Sequence, residues 1–337
     1  MIYYPIIIPT LNRYQHFKEC VESLARCTFA DKTELVIGLD YPPSLKYEEG
    51  WKNIQKFFPT IRGFAKVTVF QHKQNLGCSK NTACLIDYVF KNYDAYIFTE
   101  DDNVFAPSFL DYINKGLNLY KTDKTVLSIN AFFYYENLGL DFKSSSIVKQ
   151  LYNFSGWGYA IWKDRRETID SFCSQNVKRY VCGNKRNLFK MRHNLLEFYY
   201  LLMWPDDLTN RATDLIFSIF TILNKVYPVN PVLPLVCNKG SDGTGLHGGT
   251  NANDPYASRN LCRESHYSYK YNLTKKDELY ISKTYIRKRL LNEKIPFEYF
   301  FMYVWFLLFG YNHFSIKSGS FLIRIINGLI RRIKSLW

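Results

Sequence analysis

The chain has no CxxC pair and no cysteine–histidine cluster at zinc-ligand spacing, although it carries eight cysteines. A structural zinc centre is therefore not expected, and the pattern fits the reduced thiols of a cytosolic protein. Internal repeats and known RNA- or DNA-binding signatures are absent too, which sets nucleic acid aside as a partner. Nothing resembling a signal-peptide core precedes the first strand, because the stretch from Ile2 to Ile8 is short and strand-like. Acids are scarce, 30 against 44 Lys and Arg, leaving a net charge of +14. That excess favours an anionic partner, and the expected ones are a phosphorylated substrate and a phospholipid surface. Hydrophobic residues are plentiful at 47%, so 337 residues suffice for a full core, as one large domain or one domain with an appendage.

The chain is organised around Tyr96-Ile97-Phe98-Thr99-Glu100-Asp101-Asp102. A strand-forming apolar run stops on three consecutive carboxylates, and Pro107 follows where a helix can open. Three acids at the end of a buried strand repel one another, so a cation is expected there. Their hard oxygens suit Mg²⁺ or Mn²⁺ rather than zinc. In open α/β sheets, ligands bind beyond the carboxyl ends of the strands.

Strand and helix alternate over about the first 130 residues. Strands are expected at Pro5–Pro9, Glu34–Leu39, Lys66–Phe70, Tyr96–Phe98 and Val126–Ile129. The helix after the first strand places Phe17, Cys20, Val21 and Leu24 on one face, with Asn12 as its expected cap. This alternation predicts a mostly parallel sheet covered by helices on both faces. Beyond Asn130 it fails. Phe154–Trp162 is a glycine- and aromatic-rich stretch, and residues 176–193 read as basic and irregular. A helix is expected over Asp214–Leu223. A strand over Val229–Val236, interrupted by Pro231 and Pro234, is expected at an edge at best. Gly240–Gly249 reads as a glycine-rich loop.

Together these residues resemble nucleotide-sugar glycosyltransferases of the GT-A fold, closest in pattern to inverting family 2 enzymes and to the N-acetylglucosaminyltransferase I type. The likeness covers roughly residues 2–250. Pro9-Thr10-Leu11-Asn12-Arg13 resembles the first nucleotide-binding turn of those families. Asp40 matches their base-contacting acid, and Asn75-Leu76-Gly77 with Lys80 is similar to a segment beside the nucleotide. Glu100-Asp101-Asp102 matches the DxD-type motif, whose last aspartate usually holds the metal. The resemblance implies an α/β GT-A domain over residues 1–250, with a nucleotide-binding half (1–130) and an acceptor-binding half (131–250). The activity it implies is metal-dependent transfer from a nucleoside-diphosphate sugar, expected to be a UDP-sugar, to a glycan or lipid-linked acceptor of a bacterial surface polysaccharide.

The resemblance assigns Thr10, Asn12, Arg13, Asp40, Asn75, Gly77, Lys80, Glu100 and Asp101 to the donor. It assigns Asp102 to Mn²⁺ or Mg²⁺ and Asp214 to the role of catalytic base; His247, in the glycine-rich loop, is a further candidate for the metal or the diphosphate. Thr213 stands before Asp214 where the families have an acid, so Asp206 and Asp207 stay open as alternatives. Trp157 and its neighbouring glycines are candidates for an acceptor wall. Two other classes are weighed against transfer: a non-catalytic glycan- or membrane-binding scaffold, which the intact acid triplet disfavours, and a sugar-1-phosphate nucleotidyltransferase. The first turn lacks the glycine-rich loop with which the latter holds a triphosphate.

Residues 251–337 are expected to form a basic, aromatic extension. Phe297–Phe314 is dense in aromatics but short for a membrane span, and Phe321–Trp337 mixes apolar residues with Arg324, Arg331, Arg332 and Lys334. That combination suits attachment to an anionic membrane surface, giving a peripheral protein on the cytoplasmic face of the inner membrane.

Overall fold

The computed structural model describes residues 1–132, 147–149, 154–203, 213–231, 234–245, 261, 263–267 and 297–310. The first strand, β1 (Ile6–Thr10), is buried at every position. An unbroken apolar run of this kind is what a parallel strand covered on both faces requires. Helix α1 (Tyr14–Ala25) follows, then β2 (Glu34–Leu39), α2 (Glu48–Phe57), β3 (Lys66–Gln71), α3 (Cys78–Val89) and β4 (Ala95–Phe98). Next come β5 (Asn103–Phe105), α4 (Phe109–Leu119), β6 (Val126–Asn130), β7 (Ile147–Lys149), β8 (Tyr159–Trp162) and α5 (Lys163–Cys173). The chain continues through α6 (Val177–Cys182), α7 (Lys185–Lys190), α8 (Leu195–Met203), α9 (Thr213–Asn224), β9 (Tyr227–Pro231), β10 (Val236–Asn238) and α10 (Phe297–Phe309).

One eight-stranded sheet has the order β3-β2-β1-β4-β8-β6-β9-β7. Strands β3, β2, β1 and β4 run parallel, with Ile7 opposite both Val36 and Phe98. Beyond β4 the sheet is mixed, since β8 is antiparallel to both β4 and β6. The expected parallel, helix-covered sheet is therefore present, its parallel half lying in the region of strict alternation. Ile6, Ile7, Ile8, Leu35, Ile37 and Ile97 are all buried, and each such side chain contributes roughly 1.5–3 kcal/mol.

Two expectations are corrected. The strand expected at an edge, β9, lies inside the sheet, parallel to β6 and antiparallel to β7. Its prolines, Pro228 and Pro231, fall near its ends; a shift in register between Val126 and Ser128 of β6 lies beside Pro228, and Pro231 is the last residue of the strand. Residues 176–193, expected to be irregular, form α6 and α7. The Asn176 side chain accepts from the Arg179 N–H, and that of Asn184 from the N–H groups of Arg186 and Asn187. Such caps satisfy N–H groups that a short helix otherwise leaves bare.

The chain divides into two compact units. Unit 1 comprises residues 1–170 and 225–284 and contains the whole sheet; unit 2 comprises residues 171–224 and 285–337. In unit 2, α10 packs on α7 and α8. Tyr303 and Phe306 are buried, both rings lie against Phe198, and the Tyr303 hydroxyl donates to the Leu188 carbonyl at 3.1 Å. Among the described residues, no helix is long and apolar enough to cross a membrane. The segment 321–337 lies outside the described residues.

Candidate active site

The acidic triplet stands where β4 ends. Glu100 is exposed, whereas Asp101 and Asp102 are only 6% and 7% exposed. Two buried carboxylates side by side are costly unless a cation and hydrogen bonds compensate them. The chain supplies both. Arg13 pairs with Asp101 and places Nη1 2.9 Å from Asp102 Oδ2. Thr10, the last residue of β1, donates its hydroxyl to Asp101 Oδ2 at 2.7 Å. Burial raises the Asp101 carboxyl above the ordinary aspartate value; Arg13 opposes that rise and the Asp102 charge adds to it. Burial alone would lower Arg13, but the two carboxylates hold it fully charged. Asn12 was the expected cap of α1, yet Arg13 takes the cap position without a side-chain cap bond. The guanidinium reaches the carboxylates, so the helix starts one residue beyond it.

Asp102 is fixed from a second direction. Strand β10 pairs antiparallel with β5, setting Asn238 opposite Asn103. The Asn238 amide donates to Asp102 Oδ1 at 2.8 Å and to Asn103 Oδ1 at 2.9 Å, while its own oxygen accepts from the Gly240 N–H. Every polar atom of that buried side chain is engaged, so its orientation is determined. A Cβ at residue 240 would collide with Asp102 Oδ2, which explains the glycine. His16 ties the same loop to α1, lying 3.2 Å from Asp242. Sequence reasoning singled out neither Asn238 nor His16. Asn238 reaches Asp102 across 136 positions, and no local periodicity reports such a contact.

Asp40, at the end of β2, is buried and has both oxygens filled. Oδ1 accepts from the N–H groups of Tyr41 and Leu76, and Oδ2 from the Gly77 N–H and the Asn75 amide, at 2.8–3.2 Å. The carboxylate thus builds the Asn75-Leu76-Gly77 turn. Gly77 has φ +76°, which favours glycine, and caps α3. Asn81, one turn into α3, donates to the Gly38 carbonyl at 2.8 Å and locks α3 onto β2. Lys80 projects as an exposed cation.

The structure thus brings Thr10, Arg13, Asp101 and Asp102 into one contact network and joins Asp40, Asn75 and Gly77 in another. Asn12 is half-buried on the turn before Arg13. Asp214 stands in the first turn of α9 in unit 2, half-buried. His247, Asp206 and Asp207 lie outside the described residues. Trp157 packs edge-on against Phe132 at 4.7 Å.

Among the described residues, no three His, Cys, Asp or Glu side chains cluster as a self-sufficient metal site. Asp102 nonetheless suits a divalent cation shared with phosphate. A carboxylate has about four acceptor directions, of which Asn238 and Arg13 take two. Mg²⁺ in particular is commonly held by one or two carboxylates together with substrate phosphates.

A half-parallel α/β sheet whose strand ends converge on buried acids defines a class that binds ligands at its carboxyl edge. The profile of Glycosyl transferase family 2 matches residues 6–191, more than half of the chain, and the protein belongs to that family. No curated protein matches its sequence. Among solved structures, the chain is similar to a mannosyltransferase, PcManGT, from Pyrobaculum calidifontis in complex with GDP-Man and Mn²⁺ (14% identity, 69% of this chain and 57% of that one, TM-score 0.37). It is similar also to TarS of S. aureus (13% identity, 94% and 44%, TM-score 0.39). A third is GalNAc-T7 with UDP, GalNAc and Mn²⁺ (9% identity, 69% and 43%, TM-score 0.39). The chain spans about half the length of these relatives.

Proposed function

We propose that the protein is a metal-dependent, inverting glycosyltransferase. It moves a sugar from a nucleoside-diphosphate donor, expected to be a UDP-sugar, to a glycan or lipid-linked acceptor of a surface polysaccharide, at the cytoplasmic face of an inner membrane. The supporting observation is the Asp102 carboxylate at the end of β4, held by Asn238 and facing Arg13. Asp102 would hold Mn²⁺ or Mg²⁺, with His247 as a second candidate ligand, and the cation would neutralise the diphosphate oxygens as the glycosidic bond breaks. Arg13 and Lys80 add fixed positive charge beside the leaving diphosphate. Asp101, pinned by Thr10, keeps Arg13 in position. Asp40 shapes the turn on which the nucleotide rests, with Asn75 and Gly77 as its contacts. Asp214 takes the proton from the acceptor hydroxyl as that oxygen attacks the anomeric carbon opposite the diphosphate, and Asp206 and Asp207 are the alternatives.

The experiment is a donor screen with Mn²⁺ or Mg²⁺ that follows release of free nucleoside diphosphate. Release from one or a few nucleotide sugars, abolished by EDTA, is expected. Release undiminished by EDTA would overturn the metal assignment, and silence across all donors with a suitable acceptor would overturn transfer.

A further inference from the structure

Unit 2 carries an unusual surface. Residues 177–193 contain Lys178, Arg179, Lys185, Arg186, Lys190 and Arg192 and not one acid. All but Lys178 are exposed, and among the described residues none of those five pairs with a carboxylate. Tyr180, Phe189, Met203, Phe300 and Leu308 of the same unit are also exposed, Phe189 by 56% and Leu308 by 63%.

Several of these groups are contiguous. Lys185 donates to the Leu308 carbonyl at 3.2 Å, Phe189 lies one turn further along α7, and the Arg192 guanidinium stacks on the Phe189 ring at 4.4 Å. On α10, Phe300, Val304 and Leu308 recur at four-residue spacing and share a face. That stripe is exposed or half-exposed, while Tyr303 and Phe306 are buried.

Helix α10 has one charged residue, Glu298, among 13. A helix apolar all round is ordinarily covered on every side. At about 20 Å it is too short to cross a bilayer core of about 30 Å, but it can lie along one. Unpaired cations interleaved with exposed aromatic and aliphatic side chains are complementary to an anionic interface, whose phosphates meet the charges and whose acyl boundary accepts the apolar groups.

We propose that unit 2 docks on an anionic phospholipid surface through this patch. Phe189, Phe300 and Leu308 enter the headgroup boundary, and Arg179, Lys185, Arg186, Lys190 and Arg192 meet lipid phosphate. The proposal rests on the reading of a transferase working at a membrane, and it places attachment in the helices around α7 and α10 rather than in the terminal basic segment alone.

The test is cosedimentation of the full chain with vesicles of phosphatidylcholine alone and with added phosphatidylglycerol. The wild type should pellet only with the anionic vesicles. Lys185→Gln/Arg186→Gln/Arg192→Gln should bind them about 10²-fold more weakly. Phe189→Ser/Leu308→Ser should lose the binding that survives high salt. Both variants should keep the wild-type melting temperature and the wild-type rate of metal-dependent donor hydrolysis in solution. Wild-type pelleting by both variants would overturn the proposal and move attachment elsewhere. A wild type that ignores vesicles but dimerises in sedimentation velocity, with the dimer lost in Phe189→Ser/Leu308→Ser, would overturn it in favour of a second copy. Vesicle binding without hydrolysis of any nucleotide sugar would count against the transferase reading and leave the docking surface standing.

Discussion

The two units handle charge in opposite ways. In unit 1 the acids at the strand ends are buried and answered from within: Asp101 by Thr10 and Arg13, Asp102 by Arg13 and Asn238, Asp40 by four N–H donors. Among the described residues of unit 2, the charges are mostly basic and exposed, and five of them have no carboxylate partner. Internal compensation holds carboxylates rigid, as a site for a charged leaving group requires. Surface charge without a carboxylate partner keeps a protein soluble and attracts partners of opposite sign. On the function and docking surface proposed above, the contrast separates a rigid donor site from a contact surface.

The sharpest way to break this division is through the one chemical role assigned to unit 2. Asp214→Asn should leave donor binding intact and slow turnover by ~10²–10⁴-fold, as loss of a general base does. Asp206→Asn and Asp207→Asn should each do less. Single-turnover kinetics beside equilibrium nucleotide binding separates the two effects. A dead Asp207→Asn beside an active Asp214→Asn would move the base to the Trp204–Asp207 segment.

Arg13→Gln tests the internal compensation. Removing the cation strands two buried carboxylates, and the expected loss is about 3 kcal/mol, at the lower end for broken buried pairs. Thermal melts should show a larger stabilisation by Mn²⁺ in the variant than in the wild type, because an added cation replaces the missing one. Equal stabilisation would mean that Arg13 and the metal do not address the same carboxylates.

Asp40→Asn probes the turn. An amide cannot accept four hydrogen bonds, so donor affinity should fall by about 2 kcal/mol. UDP and GDP should suffer alike, because what is lost is the shape of the Asn75–Gly77 turn. Selective loss of one nucleotide, measured by calorimetry, would instead identify Asp40 as a direct reader of the base.

The smallest effect concerns the β2–β3 edge of the sheet. Burial pushes the Glu34 carboxyl upward, but hydrogen bonds from Thr68, Lys66 and Tyr88 outweigh it and leave Glu34 below the usual glutamate range. A depressed value stabilises the fold above the unfolded-state value and loses that contribution as pH falls through the folded one. Glu34→Gln should therefore cost about 1 kcal/mol at neutral pH, with the difference closing in acid. Chemical denaturation at pH 7 and below pH 4 would show it.

Much of unit 1 is legible in the sequence, because its strands and helices announce themselves through local composition. Ile6-Ile7-Ile8, Leu35–Ile37 and Tyr96–Phe98 are unbroken apolar runs, and acids follow β2 and β4 within two residues of their ends. What is not legible depends on distant pairing. Strand β5 is three residues long and reads as part of a turn until β10, over a hundred residues later, pairs with it. The interior position of β9 is hidden by its prolines. The helices α6 and α7 were within reach, since Asn176 and Asn184 are good caps, but each is one or two turns long and too short for a period to emerge. The four-way engagement of Asp40 is a tertiary fact, whereas its place at the end of a strand is a local one.

The most direct measurement is Mn²⁺ binding followed by the electron paramagnetic resonance signal of the free ion, with and without nucleoside diphosphate. The wild type should bind Mn²⁺ weakly alone and at least tenfold more tightly with the diphosphate, since one carboxylate and the phosphates share the ion. Asp102→Asn, which keeps the volume and removes the charge, should abolish that enhancement without lowering the melting temperature by more than a few degrees. An Asp102→Asn protein that binds Mn²⁺ and diphosphate as the wild type does would contradict the account at its centre.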